Sequence, residues 1–294
     1  MNRRNILTLA LASSAALLQG CSPLSLINGW APSSAYRAKT AISYGPSARH
    51  QLDIYSPANA AASAPVIVFF YGGNWDSGDR ADYLFVGAAL AAKGYIAVLP
   101  DYRLYPEVRY PDFLADSAQA VRWVFEHIAE FGGDAQRVFL MGHSAGAYNA
   151  AMLALNPIYL RAAGVDPQRV RGLIGLAGPY DFLPLTSPVT KAVFGFPDTP
   201  ISTQPIQFAS PAAPPALLVT GTFDNLVDPG NSSRLALRLR QHGVPARVIV
   251  YPALGHRMLI GALAAPLRGL GPVLDDVAGF VNELSADTLV RIRP

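Results

Sequence analysis

The chain has 294 residues, of which 51% are hydrophobic and only 15% are charged, so it can bury a substantial core in one large domain or two small ones. This composition excludes a disordered chain. The formal charge of +3 includes Arg3 and Arg4, which precede an apolar run. The rest of the chain is therefore close to neutral, and nothing indicates a nucleic-acid partner.

The first 21 residues have the pattern of an export signal. A basic start, MNRR, is followed by an apolar stretch of about 13 residues and then by small residues before Cys21. The apolar stretch is too short to span a bilayer comfortably. Leu18-Gln19-Gly20-Cys21 resembles the lipobox of bacterial lipoproteins, in which the cysteine becomes the acylated first residue of the mature chain. Because Cys21 is the only cysteine, it cannot form an internal disulfide or a cysteine metal cluster.

The sequence therefore predicts a lipoprotein that is anchored to the membrane through Cys21. Ordinary cleavage to a soluble periplasmic protein and an uncleaved anchor are the alternatives. Ser22 follows the cysteine, and by resemblance to proteobacterial lipoproteins this implies the outer membrane, facing the periplasm. The pair Arg3-Arg4 also resembles a twin-arginine signal, so the export route stays open. Residues 22–41 are predicted to be a tether, and residues 42–294 the folded domain.

From residue 42 onward, short apolar runs alternate with longer segments of helical spacing. The runs are mostly β-branched or aromatic, which is typical of strands buried on both faces. They are residues 66–71, 95–100, 137–141, 171–178, 216–221 and 247–252, and residues 52–55 are predicted as an antiparallel edge strand. The helical segments are residues 83–92, 112–131, 145–155, 231–242 and 271–283. This alternation predicts an α/β fold with a mostly parallel sheet covered by helices.

One segment departs from the alternation. Residues 182–215 contain eight prolines and little periodicity. A long irregular connection inside a compact domain commonly serves as a lid or binding loop, so the segment is predicted to form a short cap that limits acyl length. A tolerated surface insertion is the alternative.

The pentapeptide GHSAG at 142–146 lies where a predicted strand ends and a predicted helix begins. A serine in such a turn projects its oxygen above the sheet, and Gly142 and Gly146 remove side chains that would collide where the chain doubles back. Ala145 then offers its backbone N–H at a helix N-terminus, where negative charge is favoured. The pattern is that of a nucleophile elbow with Ser144 as nucleophile.

A serine nucleophile needs a base within hydrogen-bond reach and a carboxylate that orients the base. His256 follows the last apolar strand by a short loop and is the best placed of the five histidines. The others are His50, His127, His143 and His242. Asp224 stands just beyond the strand at 216–221 and is the predicted acid, with Asp228 as the alternative. The order Ser144, Asp224, His256 is the one expected of the α/β-hydrolase fold.

Acyl transfer also needs donors for the oxyanion that develops. Tyr71-Gly72-Gly73-Asn74-Trp75 follows the strand at 66–71, and its consecutive glycines let the backbone approach a substrate carbonyl. The predicted oxyanion hole consists of the N–H groups of Gly73 and Ala145, with Asn74 as a further donor. This chemistry requires no metal or organic cofactor.

Several motifs together resemble a known superfamily. YGGNW at 71–75 resembles the HGGxW or HGGG motif, DYRLYPE at 101–107 resembles DYRLAPE, and GHSAG matches the elbow of hormone-sensitive-lipase-like and arylformamidase-like α/β-hydrolases. GTFDNLVD and LGH resemble the acid and histidine loops of that superfamily. The resemblance runs from about residue 42 to residue 283. It implies an α/β-hydrolase fold and hydrolysis of small carboxylic esters, usually with short acyl groups, or in one branch of an N-formyl amide.

GGNWDSGDR and GPYDF favour the arylformamidase and feruloyl-esterase-like (BD-FAE-like) branch. The substrate-pocket candidates are Tyr71, Gly72, Trp75, Asp181, Phe182 and Phe194. Asp181 could equally fix a loop, and each aromatic could equally belong to the core. Tyr71 stands where the superfamily usually has His, and Asn74 where HGGG members have a third glycine. Within DYRLYPE, the charged residues Asp101, Arg103 and Glu107 are predicted to stabilise loops through pairing.

The sequence thus predicts a serine carboxylesterase that acts on small-molecule esters. Two alternatives remain open: an arylformamidase-like amide hydrolase, and an envelope lipoprotein that keeps the hydrolase fold without catalysis. The natural ester and the oligomeric state are not indicated by the sequence.

Overall fold

The structure, a computed structural model, describes residues 27–59 and 63–292. The predicted export signal, including Cys21, lies outside the described residues. Within these residues, no helix combines the length and the apolar character that a bilayer crossing requires.

In the described part of the chain, a single sheet of eight strands forms the centre of the protein, in the order β1-β2-β4-β3-β5-β6-β7-β8. Strands β1 and β2 run antiparallel to their neighbours, and the strands from β4 to β8 are parallel to one another. The bounds are β1 Tyr36–Ser43, β2 Gln51–Pro57, β3 Ala64–Phe70, β4 Ile96–Pro100, β5 Gly133–His143, β6 Val170–Leu176, β7 Ala216–Gly221 and β8 Ala246–Tyr251.

Helices cover both faces of this sheet. They are α1 Leu84–Ala92, α2 Asp112–His127, α3 Ala145–Leu155, α4 Pro157–Ala162, α5 Pro188–Phe194, α6 Gly230–Gln241, α7 His256–Gly261 and α8 Val273–Ile292. Helices α1 and α8 share one face, where Lys93 Nζ lies 2.6 Å from Asp275 Oδ1. Helices α2 and α3 pack against each other on the opposite face. The arrangement is the mostly parallel α/β sheet that the alternating pattern predicts.

Strand β1 corrects two of the sequence predictions. Its residues from Tyr36 pair with β2, so residues 36–41 belong to the sheet and not to a tether. As a result, β2 lies inside the sheet and is not the edge strand. Strand β1 escapes detection because its residues YRAKTAIS are exposed or only partly buried, so burial imposes no hydrophobic period on them.

The carboxyl edge of the sheet, where strands β3 to β8 end, positions the candidate site. Strands β3 and β5 are buried side by side in the middle of the sheet, and each ends in a loop that the sequence analysis singled out. Because neighbouring parallel strands end at the same edge, these loops meet there.

Candidate active site

Ser144 occupies a tight turn between β5 and α3. Its backbone has φ 56° and ψ −124°, a strained conformation for a residue with a side chain, and its N–H donates to Leu176 O at 2.9 Å. A Cβ on Gly146 would lie 2.0 Å from Phe70 O, and a Cβ on Gly142 would lie 2.2 Å from Gly146 O. Only glycine fits at both positions, so the two glycines of GHSAG are required by the close approach of β3, β5 and α3.

Asp224 and His256 form a hydrogen-bonded pair near the ends of β7 and β8. His256 Nδ1 lies 2.8 Å from Asp224 Oδ2, and both side chains are buried. The other carboxylate oxygen of Asp224 accepts the backbone N–H groups of Leu226 at 3.0 Å and Val227 at 2.9 Å. Burial raises the pKa of the Asp224 carboxyl, but the hydrogen bonds from His256 and from Val227 outweigh that effect and hold the pKa below its usual value.

Asp228, the alternative acid, has different partners. Its carboxylate accepts from Gly230 N–H at 2.9 Å and lies 2.9 Å from Arg234 Nη1. These contacts lower the pKa of Asp228. Asp224 is therefore the carboxylate that contacts His256 in this structure, and Asp228 belongs to an ion pair with Arg234.

His143 contacts His256, which the sequence analysis did not foresee. His143 Nε2 lies 3.1 Å from the backbone oxygen of His256, and the two ring centroids are 4.8 Å apart. Burial, and secondly the proximity of His256, lower the pKa of His143 to about 3. The imidazole is thus neutral at ordinary pH, with Nε2–H as the donor. The only sequence signal for a role of His143 is its position next to Ser144, and the sequence does not show where the His143 ring points.

The loop at 71–75 lies directly against the elbow. A Cβ on Gly72 would lie 2.9 Å from Ser144 Cβ, so Gly72 touches the serine itself. Gly73 has φ +133°, and a Cβ there would lie 2.2 Å from Ser77 O. Within the described residues, the N–H groups of Gly73, Asn74 and Ala145 have no hydrogen-bond acceptor. Three backbone donors thus remain available around Ser144.

Tyr71 is a correction to the predicted pocket. Its ring is fully buried, its hydroxyl donates to Asp101 Oδ1 at 2.9 Å, and it accepts from Arg49 Nη2 at 2.7 Å. It stacks on Tyr102 and Tyr83 and is not among the residues that line the cavity. Tyr71, which stands where the superfamily usually has His, therefore holds the loop at 71–75 in place from the side away from the cavity. Gly72 likewise supports Ser144 and does not line the cavity.

A cavity of about 400 Å³ opens beside Ser144. Of the predicted residues, Asn74, Trp75, Ser144, Ala145, Asp181 and Phe182 line it. Leu183, Leu185 and Thr190 from residues 182–215, here called the cap segment, complete one wall. The cap segment thus forms part of the wall of the site, and it is not a surface insertion remote from the site.

Trp75 joins the core and the cavity wall. Its indole N–H donates to Asn149 Oδ1 at 2.9 Å, and its ring meets Phe194 edge to face with centroids 4.8 Å apart. Phe182 packs against the same cluster, with its centroid 5.5 Å from that of Phe194. Phe194 is not a lining residue, so it supports the wall from behind. Trp75 therefore belongs both to the core and to the wall of the cavity.

Asp181 lines the cavity and also fixes a loop. Arg234 Nε lies 2.6 Å from Asp181 Oδ2, and Arg234 Nη2 donates to Asp181 O at 2.9 Å. Arg234 also pairs with Asp228, so a guanidinium between two carboxylates forms the polar wall of the cavity. Arg234 was missed by the sequence analysis because it lies on α6, far along the chain from the motifs.

The DYRLYPE segment is a structural support. The Asp101 carboxylate pairs with Arg80, and Arg103 donates three hydrogen bonds to Asp116, from its backbone N–H at 3.0 Å and from its guanidinium at 2.9 and 2.8 Å. These contacts agree with the loop-stabilising role that the sequence predicts for Asp101 and Arg103. In the described residues no ion pair involves Glu107.

Metal ligands and a second cavity are the other features that could mark a functional site. In residues 27–59 and 63–292, no group of three or more His, Cys, Asp or Glu side chains is arranged to hold a metal ion. A second cavity, of about 630 Å³, lies at the opposite edge of the sheet and is lined by Arg171, Arg240 and Arg247 among others. It contains neither a serine nor a histidine among its lining residues, so the site beside Ser144 is the candidate active site.

Comparison with known families identifies the family of this chain. The BD-FAE family model matches residues 52–239, which include the loop at 71–75, the elbow and Asp224. The chain belongs to the BD-FAE family. The branch predicted from GGNWDSGDR and GPYDF is thereby confirmed, and His256 lies beyond the matched residues.

Two relatives of this BD-FAE chain have names that describe their reaction. It is 28% identical over 277 residues to an isoprenylcysteine alpha-carbonyl methylesterase of Arabidopsis thaliana, a match that covers 87% of this chain and 64% of the relative. It is also 28% identical over 274 residues to esterase LipC of Mycobacterium tuberculosis, covering 85% of this chain and 66% of the relative. The chain therefore spans less than two thirds of the length of either relative.

Solved structures identify the fold of the BD-FAE chain. A truncated carbohydrate esterase from gut microbiota superposes with a TM-score of 0.76 at 22% identity, covering 87% of this chain and 99% of the other. A thermophilic esterase from the Planctomycetes species Thermogutta terrifontis gives a TM-score of 0.69 at 24% identity, covering 85% and 94%. At this identity the likeness concerns the fold, and with the eight-stranded sheet it confirms the α/β-hydrolase fold.

Proposed function

We propose that this protein is a serine carboxylesterase that hydrolyses small carboxylic esters through Ser144, His256 and Asp224. The observation that carries the proposal is the 2.8 Å contact between His256 Nδ1 and Asp224 Oδ2, in a buried pair whose histidine contacts the residue adjacent to Ser144. A carboxylate in this position holds the imidazole in the tautomer that leaves Nε2 free to accept a proton. Relatives of the chain that carry esterase names support the same reaction class.

In the proposed reaction, Ser144 Oγ attacks the ester carbonyl carbon while His256 Nε2 takes its proton. The backbone N–H groups of Gly73, Asn74 and Ala145 donate to the oxyanion that forms. His256 then gives its proton to the departing alcohol, which leaves an acyl group on Ser144. Water, deprotonated by the same imidazole, attacks the acyl carbon and releases the carboxylic acid.

The size of the cavity supports a preference for short acyl groups. Its volume of about 400 Å³ lies near the lower end of the range for small-molecule sites. Trp75, Phe182 and Leu185 line it with apolar surface, while Asp181 and Arg234 supply a polar side. An acyl group and an alcohol group of modest size suit such a space.

The test is hydrolysis of aryl esters from acetyl to octanoyl by the mature protein and by Ser144→Ala. We expect kcat/KM to fall by about four orders of magnitude or more, because the nucleophile is lost while binding remains. Ser233→Ala, an exposed serine on α6, is the matched control and should keep the parent rate. A parent that cleaves a formylated aromatic amine but no ester would instead be the amide hydrolase, and one inactive on both would be a binding protein.

We also propose that Cys21 is acylated and anchors the mature protein to the outer membrane, facing the periplasm. The lipobox-like LQGC sequence behind an apolar stretch supports this. Mass spectrometry of the mature N-terminus tests it, since acylation adds the mass of the lipid to Cys21. A mature chain that starts at another residue, or a Cys21 without lipid, would contradict it.

A further inference from the structure

The described chain begins at the carboxyl edge of the sheet, close to the candidate active site. The Asn28 side chain donates to Ala81 O at 2.8 Å and accepts from Phe85 N at 3.0 Å. Phe85 lies in the first turn of α1, and α1 follows β3 through the loop at 71–75. Since a helix after a parallel strand starts at the edge where the strand ends, Asn28 lies at the same edge as Ser144.

The histidine loop lies near this entry point. Tyr83, which directly precedes α1, stacks on Tyr71 with centroids 5.7 Å apart, and Tyr71 begins the loop that touches Ser144. His256 starts a helix after β8, and β8 ends at the same edge of the sheet. The segment that receives Asn28 and the loop that carries His256 therefore lie at the same edge.

The distance from Cys21 to this surface is short. Six residue steps separate Cys21 from Ile27, and an extended chain spans at most about 3.6 Å per step, or about 22 Å in all. The sequence-predicted tether of 22–41 would have allowed a much longer reach, but the contacts of Asn28 already hold the chain, and β1 takes residues 36–41 into the sheet. A lipid on Cys21 therefore has to lie on the side of the protein that carries Ile27.

Apolar side chains are exposed at the same carboxyl edge of the sheet. Phe223 is 68% exposed and precedes Asp224, and Met258 is 47% exposed and follows His256 by two residues. Trp30, which is 56% exposed, lies within one turn of Ile27, where its N–H donates to Ile27 O at 3.2 Å. Tryptophan is enriched at membrane interfaces, and exposed apolar residues at one edge are suited to partial insertion.

We propose that the carboxyl edge of the sheet docks on the bilayer that holds the acylated Cys21, with Trp30, Phe223 and Met258 at the interface. The cavity beside Ser144 then opens toward the membrane, and its substrates are esters presented at the bilayer surface. This inference rests on the proposed esterase activity and on acylation of Cys21. The bilayer is the occupant because the short connection to Cys21 holds this edge within reach of it.

Docking is tested first without any activity measurement. The acylated mature protein is reconstituted in vesicles of phosphatidylethanolamine and phosphatidylglycerol that contain brominated acyl chains, and its tryptophan emission is recorded. We expect quenching that is lost in Trp30→Phe, because Trp75 is buried in the core and Trp123 packs against His127 and Phe131 at the far end of α2. Acylated protein that cosediments with the vesicles but shows no quenching of Trp30 would overturn the proposal and leave this surface to a protein partner.

Activity then separates docking from catalysis. We expect Phe223→Ser/Met258→Ser to lower the rate on an acetyl ester of a lipid embedded in the vesicles by about fivefold or more, because the lost apolar area weakens docking. The rate on a water-soluble aryl acetate should stay within about twofold of the parent, because a soluble substrate reaches the site without docking and exposed substitutions change the fold little. The matched control is Ile158→Ser/Leu237→Ser, two residues that are each 58% exposed and lie away from this edge.

The outcomes are distinguishable. A double variant that is as fast as the parent on the embedded ester, or equal losses in the variant and in its control, would overturn docking. Inactivity of the parent on both esters would refute the proposed function, while quenching of Trp30 would still support the docked orientation. Absence of lipid on Cys21 removes the anchor and overturns the inference.

Discussion

His143 Nε2 lies 3.1 Å from the backbone oxygen of His256, and the rings of the two buried residues have centroids 4.8 Å apart. This contact ties the residue before Ser144 to the residue paired with Asp224. The contact makes His143 a positioning residue for the imidazole of His256. Because His143 is neutral, it places no positive charge beside that imidazole.

Protonation of His143 should destabilise the fold in acid. Its pKa is about 3 in the folded protein against 6.5 for a free histidine. Between these two pH values the unfolded chain binds a proton that the folded chain does not, so the free energy of unfolding falls as the pH drops below 6.5. The slope from this residue is at most about 1.4 kcal/mol per pH unit.

His143→Gln, which keeps an N–H donor but cannot titrate, should remove that part of the slope. Urea unfolding at a series of pH values between 7 and about 5 measures it. His127→Gln, at an exposed histidine on α2, is the matched control and should keep the parent slope. Equal slopes in His143→Gln and the parent would show that His143 does not control acid stability.

The two carboxylates of the acid loop should differ sharply in their effect on rate. Asp224→Asn should lower kcat by about four orders of magnitude, because an amide cannot hold His256 in the required tautomer. Asp228→Asn removes an ion pair with Arg234 and should change kcat by less than about tenfold, since a partly exposed pair contributes little. Comparable losses in the two variants would reassign the acid.

Gly72→Ala should disturb the elbow more than the addition of a single methyl group suggests. The added methyl would lie 2.9 Å from Ser144 Cβ and 3.1 Å from His143 O, so the backbone has to shift. We expect a loss of about 1–3 kcal/mol in the free energy of unfolding, together with a fall in kcat. Gly279→Ala on α8, where nothing lies within 4 Å of the new methyl, should instead gain up to about 1 kcal/mol.

Thermal and urea unfolding of the two glycine variants, with esterase rates, decide this prediction. A Gly72→Ala variant with parental stability and rate would mean that the loop at 71–75 does not press on Ser144. Because the expected effects have opposite signs, the comparison does not depend on the absolute stability of the parent.

Phe182→Ala should shift acyl preference to longer chains. Phe182 lines the cavity and packs against Trp75 and Phe194, so its removal extends the apolar space while the rest of the cap segment stays in place. Rates on acetyl, butyryl, hexanoyl and octanoyl esters measure the shift. Phe196→Ala, which is 55% exposed in the same segment and does not line the cavity, is the control. An unchanged chain-length profile in Phe182→Ala would locate the acyl group elsewhere.

The sequence predicted strands β3 to β7 well because burial on both faces leaves continuous apolar runs, and it also predicted β8, an edge strand that is only partly buried. Strands β3 to β8 are apolar runs bounded by turn residues, and their predicted positions agree with the structure to within a few residues. Helix α3 agrees at both ends, since the elbow defines its start. In contrast, β1 and the short helices α4, α5 and α7 carry no such pattern and were not predicted.

In the candidate site, residues within motifs were predictable, whereas contacts between distant segments were not. The sequence favoured Asp224 over Asp228 only because Asp224 lies nearer the end of its strand, and the contact between Asp224 and His256 is seen only in the fold. The inward turn of Tyr71 also follows from its partner Arg49, which precedes β2 and belongs to no motif. Such pairings arise from topology, which a single sequence does not encode locally.

The attachment of the cap segment has a kinetic consequence. The hydroxyl of Tyr148 donates to Thr203 O at 2.8 Å, and Phe182 N–H donates to Gln204 Oε1 at 2.7 Å; Thr203 and Gln204 are buried. These contacts fasten the interior of the segment to α3 and to its first residue, Phe182, so opening it would break buried hydrogen bonds and the aromatic cluster around Trp75. We therefore expect substrate to enter and product to leave through an aperture that stays open, so that turnover is limited by bond formation at the carbonyl carbon and not by opening of the cap segment.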